Sequence, residues 1–218
     1  MEKPILFKTE MVQAILAGRK TMTRRIIKPQ PTMYDFENHK ALAFEEPFTK
    51  PGYIAVGVDR VKECPSYLRC PYGQIGDVLW VRETWSQLDM DYRAVEGKLN
   101  GEEFKGCPIA YKANNDAPEH FGCWRPSIFM PRYAARLFLK VTNIRVERLQ
   151  DITEEDAIAE GVLWNRAKKI NELEKSNNII DNAKTLFMRL WDSINAKRGY
   201  GWDINPWVWV VEFERVEA

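Results

Sequence analysis

Residues 17–25 read AGRKTMTRR and lie at the end of a predicted helix. Thr9 can cap that helix, and Gly18 is typical of a helix end. The apolar residues of the helix recur at helical spacing: Met11, Val12, Ile15 and Leu16. Side chains alternate between the two faces of a regular strand, so Lys20 and Thr23 would point apart within one. The two can share a site only if the backbone after Gly18 is not a strand, and we expect a turn there.

The rest of the chain shows strand and helix patterns without a regular β-α-β rhythm. Strands are predicted at residues 4–7, 78–82, 109–112, 135–148 and 207–213. The longest of these alternates between apolar and polar positions and has a predicted bulge near Asn143. Helices are predicted at residues 154–160, capped by Thr153, and at 181–195, which carry a strong apolar stripe. This arrangement predicts the α+β class, with a mixed barrel-like sheet and flanking helices.

Length and charge exclude several classes of protein. The 218 residues suit one large domain, and a chain of this size can bury a core without disulfides. With 32 basic and 31 acidic residues, the formal net charge is +1. This balance excludes a disordered polyelectrolyte and a histone-like protein that coats DNA. A local basic groove remains compatible with a neutral total.

We expect neither a targeting segment nor a membrane span in this sequence. Residues 1–8 have no apolar stretch of the kind that a signal peptide needs. The most apolar run, residues 207–211, is too short to span a bilayer. We therefore expect a cytoplasmic protein with no membrane partner and with reduced cysteines.

The cysteine pattern predicts neither a metal site nor a cofactor. No pair has the two-residue spacing of a zinc knuckle, although His120 lies near the last cysteine. We expect buried thiols at all four positions: Cys64, Cys70, Cys107 and Cys123. The chain also lacks a phosphate-binding Gly-rich loop, a Gly-x-Ser-x-Gly motif and a His-Glu-x-x-His motif, and it has only two histidines.

Residues 18–25 form the densest polar cluster beside a predicted helix end. Lysine and arginine there can hold a phosphate or a carbonyl oxygen. A lysine whose pKa is lowered by burial can also accept a proton from a threonine hydroxyl. The alternative is a basic loop whose charges are solvated. Composition alone favours that alternative.

The same residues, 17–25, resemble the Gly-x-Lys-Thr-x-Thr-x-Arg signature of the ASCH family. Three further segments are similar to that family and follow in its order: residues 76–81, 152–161 and 206–213. The resemblance implies a PUA-like fold, a small β-barrel with helices packed against it, as a single domain over residues 1–218. Insertions at about 30–70, 86–130 and 162–180 make the chain similar to the longer members found in phage and prophage genomes.

The resemblance also implies an activity. Some small bacterial ASCH proteins are amidohydrolases that remove the acyl group from cytidine acylated on its exocyclic amine, as in N4-acetylcytidine. Their functional Lys, Thr and Glu match Lys20, Thr23 and Glu160, and the final arginine of the motif matches Arg25. Arg24 stands where the family usually has a small or apolar residue. Because a lysine in a pocket adds little to a core, we expect replacement of Lys20 by alanine to abolish activity without unfolding the protein.

Residues 124–145 suggest a different function. The stretch contains no acidic residue, and aromatic residues are interleaved with its five basic ones: Arg125, Arg132, Arg136, Lys140 and Arg145. Arginine with aromatic residues is typical of RNA-stacking surfaces. The alternative is a barrel strand with one solvated face.

The function therefore stays open between three hypotheses at this point, with a modified nucleoside or RNA as the partner. The first is the amide hydrolase. The second is a non-catalytic RNA-binding module that uses Arg24, Arg25, Arg132 and Arg136. The third is a ribonuclease in the same pocket, where Lys20 and Arg25 would stabilise phosphate charge.

Overall fold

The computed structural model describes residues 1–30, 33–34, 41–42, 53–59, 64–87, 97–99, 102–104, 109–114, 123–162 and 182–217. Within them lie three α-helices: α1 (Thr9–Leu16), α2 (Glu154–Ala159) and α3 (Ala183–Asn195). The strands in chain order are β1 (Glu2–Leu6), β2 (Met22–Ile26), β3 (Met33–Tyr34), β4 (Ala41–Leu42), β5 (Tyr53–Asp59), β6 (Cys64–Arg69), β7 (Val78–Arg82), β8 (Trp85–Gln87), β9 (Gly97–Leu99), β10 (Glu102–Phe104), β11 (Ile109–Tyr111), β12 (Phe138–Arg148) and β13 (Trp207–Val216). The protein is therefore of the mixed α+β type.

A five-stranded sheet forms the centre of the fold, in the order β1-β7-β12-β13-β2. β1 pairs with β7 in parallel, and the other neighbours are antiparallel. The register of β12 against β13 shifts between Val141 and Asn143, which confirms the bulge predicted there. The remaining described strands form four two-stranded antiparallel pairs: β3 with β4, β5 with β6, β8 with β11, and β9 with β10.

The five-stranded sheet has two edges among the described strands, β1 and β2. It therefore does not close into a barrel within this part of the chain, and the PUA-like barrel stays a prediction. The edge position of β2 matters for function because this strand carries the second half of the AGRKTMTRR segment.

Apolar side chains cover both faces of the sheet. One core lies on the face that α1 covers and includes Trp209 and Val211 of β13. The second core lies on the face that α2 and α3 cover and includes Val208 and Val210 of the same strand. The alternation of β13 thus divides its apolar residues between the two cores, as a central strand covered on both faces requires.

The predicted elements agree with the structure except at their ends. The strand at 78–82 is confirmed residue for residue, whereas the strand expected from residue 135 begins at Phe138. Thr153 caps α2, since its hydroxyl accepts a hydrogen bond from the Asp156 amide at 3.1 Å. The cap predicted for Thr9 is wrong: Lys8 occupies that position, without a side-chain hydrogen bond, and Thr9 is the first helical residue.

The described residues test the remaining predictions only in part. No helix among them is both long and apolar enough to cross a membrane. Cys70 is buried, which raises the pKa of its thiol to about 11, whereas Cys123 is exposed, so the prediction of buried thiols is wrong for that residue. Cys107, His120 and much of the three predicted insertions, including residues 163–180, lie outside the described residues.

Candidate active site

The segment after α1 leaves helical geometry through a left-handed glycine. Gly18 has φ +68°, and the amides of Arg19 and Lys20 both donate to the carbonyl oxygen of Ala14, at 2.9 and 3.1 Å. Thr21 then bonds to the end of α2, and β2 begins at the next residue. The prediction of non-strand backbone after Gly18 is therefore confirmed.

Lys20 is a buried anchor for the end of α2. Its side chain has no exposed surface, and its Nζ donates to three oxygens: Met22 O at 2.8 Å, Glu160 O at 2.9 Å and Glu160 Oε2 at 2.6 Å. Burial lowers the pKa of Lys20, and the facing carboxylate of Glu160 opposes that shift. Since an ammonium has three N–H donors, all of them are used.

This arrangement contradicts the premise that Lys20 adds little to the core. A buried lysine that satisfies three oxygens cannot be truncated without leaving them unpaired.

Glu160 is held by only one of its two carboxylate oxygens. It is the C-cap residue of α2 and is 5% exposed. The Oε1 atom has no hydrogen-bond partner among the described residues, and Arg24 Nη1 lies 3.7 Å from it. An unpartnered buried acceptor is costly, by about 1–3 kcal/mol, unless a ligand or water meets it. One oxygen of Glu160 is therefore fixed and the other is open to a donor.

Gly161 allows Glu160 to come this close to Lys20. Its φ is +83°, and a Cβ on it would lie 2.9 Å from the Cβ of Ala14 and 3.1 Å from the Cβ of Lys20. Only glycine tolerates both the backbone angle and the contact with α1. The glycine that ends α2 thus brings the acidic helix against the helix that precedes the AGRKTMTRR turn.

Thr23 and Arg25 lie on the α1 face of β2. They pair in register with Val211 and Trp209, which belong to that core, and cross-strand partners share a face. Thr23 is 4% exposed. Arg25 donates to Leu6 O at 2.7 Å, and its burial lowers the pKa of the guanidinium.

Arg25 also retains an unused donor. Its guanidinium lies 5.1 Å from the ring centre of Phe7 and 5.8 Å from that of Tyr72, while its Nε has no hydrogen-bond partner among the described residues. Aromatic rings on a buried guanidinium restrict its position without using its N–H groups. The position of the Arg25 guanidinium is therefore restricted, and its Nε–H group has no acceptor among the described residues.

These side chains meet at a cleft of about 880 Å³ that runs along the β2 edge. Its lining includes Thr23, Arg25 and Glu160, and one wall comes from α3. The α3 residues in that wall are Phe187, Leu190, Trp191, Ile194 and Asn195. Lys20 is not part of the lining; it lies behind Glu160 and touches it. Thr23 and Glu160 thus line the same cleft, as expected, whereas Lys20 is connected to that cleft only through its contact with Glu160.

Arg24 lies on the other face of β2, opposite Val210, and its side chain is fully buried. Its Nη2 donates to Asp156 at 2.5 Å and to Glu147 at 3.0 Å. Arg145 binds the same two carboxylates. Arg24 is therefore compensated by carboxylates of β12 and α2, and it ties those elements together where it lines the cleft. Its predicted role in binding RNA stays a prediction.

The two other predicted RNA-binding arginines lie away from the cleft lining, and both are paired. Arg132 binds both oxygens of Glu2, at 2.7 and 3.0 Å, and remains partly exposed. Arg136 binds both oxygens of Glu83, at 2.9 and 3.1 Å, and Glu83 is only 1% exposed. Their charges are thus already opposed by carboxylates, and the RNA-binding role assigned to them stays a prediction.

Sequence reasoning missed two groups that shape the site. One is the set of carboxylates around Arg24, since Glu147 and Asp156 read as ordinary charged positions of a strand and a helix. The alternation of β12 could have placed Glu147 on the same face as Arg145. The other is the α3 wall, which the apolar stripe at 181–195 marked as a buried helix but not as a cleft wall.

Comparison of the chain with protein-family models, with curated proteins and with solved structures found no match.

Proposed function

We propose that the chain is an ASCH-family protein with a PUA-like fold that hydrolyses the amide of N4-acylated cytidines. One observation carries the proposal: Glu160, bonded to Lys20 at 2.6 Å across 140 positions of sequence, shares a cleft with the hydroxyl of Thr23. Amide hydrolysis needs a nucleophile, a proton carrier and a positive group near the developing oxyanion. The cleft supplies one residue of each kind.

In the first half of the proposed reaction, Thr23 Oγ1 attacks the acyl carbon and its proton passes to Glu160. The C–N4 bond then breaks as Glu160 returns that proton to the amine of cytosine. Cytidine leaves, and an ester remains on Thr23. In this scheme the Nε–H of Arg25, which has no hydrogen-bond partner among the described residues, stabilises the oxyanion.

In the second half, a water attacks the ester and gives one proton to Glu160. The Thr23 oxygen leaves and takes that proton, and the acid is released. Lys20 acts as a positioning residue in this scheme, because its three donors are occupied and it fixes Oε2 of Glu160. Glu160 is left with a single oxygen for proton transfer.

The test is turnover of N4-acetylcytidine to cytidine and acetate, measured by chromatography. Thr23→Val keeps the volume and removes the hydroxyl, so it should abolish turnover. Thr142→Val, at an exposed position of β12, is the matched control and should retain it. Glu160→Gln should lower kcat more than it raises KM, while Glu155→Gln on the exposed side of α2 should change neither. A wild-type protein that turns over no acylated cytidine would refute the hydrolase, and the non-catalytic RNA-binding module would replace it.

A further inference from the structure

The mouth of the cleft is strongly basic. The described lining includes four exposed basic residues: Lys8, Lys28, Arg69 and Arg198. The exposed acid in the same lining is Glu10. Deeper in the cleft, the charge of Glu160 is balanced by Lys20, and that of Arg24 by Asp156 and Glu147.

This positive mouth does not follow from composition, because the whole chain has a formal charge of only +1. The basic residues come from separate parts of the chain: the start of α1, the end of β2, the end of β6 and the turn after α3. Cations collected from distant segments around one opening raise the local concentration of an anion there. A neutral nucleoside makes no use of such a field.

An exposed aromatic residue directly follows a segment that lines the cleft. Pro126, Ser127 and Ile128 line the cleft, and Phe129 follows them in the same 3-10 turn with 68% of its surface exposed. Tyr133, in the next 3-10 turn, is 69% exposed. Exposed aromatic rings beside a basic groove are the usual platform for the bases of a single strand.

We infer that the substrate is a single strand of RNA, with the acylated cytidine in the cleft, flanking phosphates on the basic mouth and a neighbouring base on Phe129. The inference rests on the proposed function for the chemistry inside the cleft. The volume fits this arrangement, since about 880 Å³ lies near the upper end of the roughly 300–1,000 Å³ of ligand pockets.

The first experiment measures binding of a labelled single-stranded oligoribonucleotide with one central N4-acetylcytidine, by fluorescence anisotropy at several salt concentrations. The logarithm of the affinity should fall with the logarithm of salt with a slope of about −2, as expected when about three phosphates are neutralised on a single strand. Lys28→Glu and Arg198→Glu should each weaken binding about tenfold. Lys197→Glu, an exposed neighbour outside the lining, should change affinity less than about twofold.

The aromatic contact has its own control pair. Phe129→Ala should weaken binding about tenfold, as expected for the loss of one stacked base. Ile204→Ala removes an equally exposed apolar side chain outside the lining and should leave affinity unchanged. Salt-independent binding, or equal losses in Arg198→Glu and Lys197→Glu, would overturn the inference.

The second experiment compares kcat/KM for three substrates: the oligoribonucleotide, N4-acetylcytidine 5′-monophosphate and N4-acetylcytidine. The strand should be the best substrate and the nucleoside the poorest, and only the two charged substrates should lose activity with added salt. A monophosphate that equals the strand would overturn the inference in favour of a free nucleotide. Strand binding with the expected variant pattern but no deacylation would refute only the hydrolase, whereas nucleoside turnover without strand binding would refute only the RNA inference.

Discussion

Replacing Lys20 with methionine tests how the site is held together. The substitution keeps an unbranched side chain of similar length but removes the three hydrogen bonds to Met22 O, Glu160 O and Glu160 Oε2. It leaves Glu160, 5% exposed, as a buried carboxylate whose nearest remaining cation is Arg24, at 3.7 Å. Removal of one partner of a buried ion pair costs about 3–5 kcal/mol. We expect Lys20→Met to lower the free energy of unfolding by about that amount.

Urea denaturation measures this change through the midpoint, provided that the slope stays that of the wild type. The double variant Lys20→Met with Glu160→Gln should be more stable than Lys20→Met alone, because the unpaired charge is gone. Lys140→Met is the control: Lys140 is half exposed and faces an exposed Glu214 at 3.4 Å, so little change is expected. A Lys20→Met variant as stable as the wild type, or a double variant less stable than it, would refute the reasoning.

Three further outcomes are expected. Gly161→Ala should lower the free energy of unfolding by about 2–4 kcal/mol, because the new Cβ would lie 2.9 Å from the Cβ of Ala14 in addition to the cost of the left-handed backbone. Gly199→Ala, with φ +81° and no atom within 4 Å of the new Cβ, should lower it by only about 1–2 kcal/mol. The midpoints of urea denaturation compare the two variants. Arg136→Met strands the carboxylate of Glu83, which is 1% exposed, and should cost about 2–3 kcal/mol in the same assay. Burial lowers the pKa of Lys20 in the folded state, so between the folded-state and unfolded-state pKa values the unfolded chain binds more protons than the folded one. Lys20 should therefore make stability rise with pH in that window, and pH-dependent unfolding of Lys20→Met should lack this rise.

Local patterns were enough to predict the three described helices, five of the thirteen described strands and one cap. The strand Val78–Arg82 and the bulge near Asn143 follow from alternation that is visible in the sequence. The cap at Thr153 follows from the short range of a hydroxyl-to-amide bond. The start of β12 could not be read in this way, because the alternation begins at residue 135 whereas pairing with β7 and β13 begins at Phe138.

The site was predictable as a set of residues but not as an arrangement. Residue types and the resemblance together selected Lys20, Thr23 and Glu160, whereas their contacts depend on α2 packing against α1 through Gly161. No periodicity within a segment reports a contact between residues 140 positions apart. Only the tertiary structure decides that Lys20 lies behind Glu160 instead of lining the cleft.

The difference between Arg24 and Arg25 shows the same division. Alternation along β2 requires that these neighbours face opposite sides of the sheet, and this is fixed by the sequence alone. Which side holds the buried carboxylates and which holds Phe7 and Tyr72 depends on how α1, α2 and β12 pack around an edge strand. The sequence determines the alternation because a strand repeats every two residues, and the tertiary structure decides the partners because they arrive from distant segments.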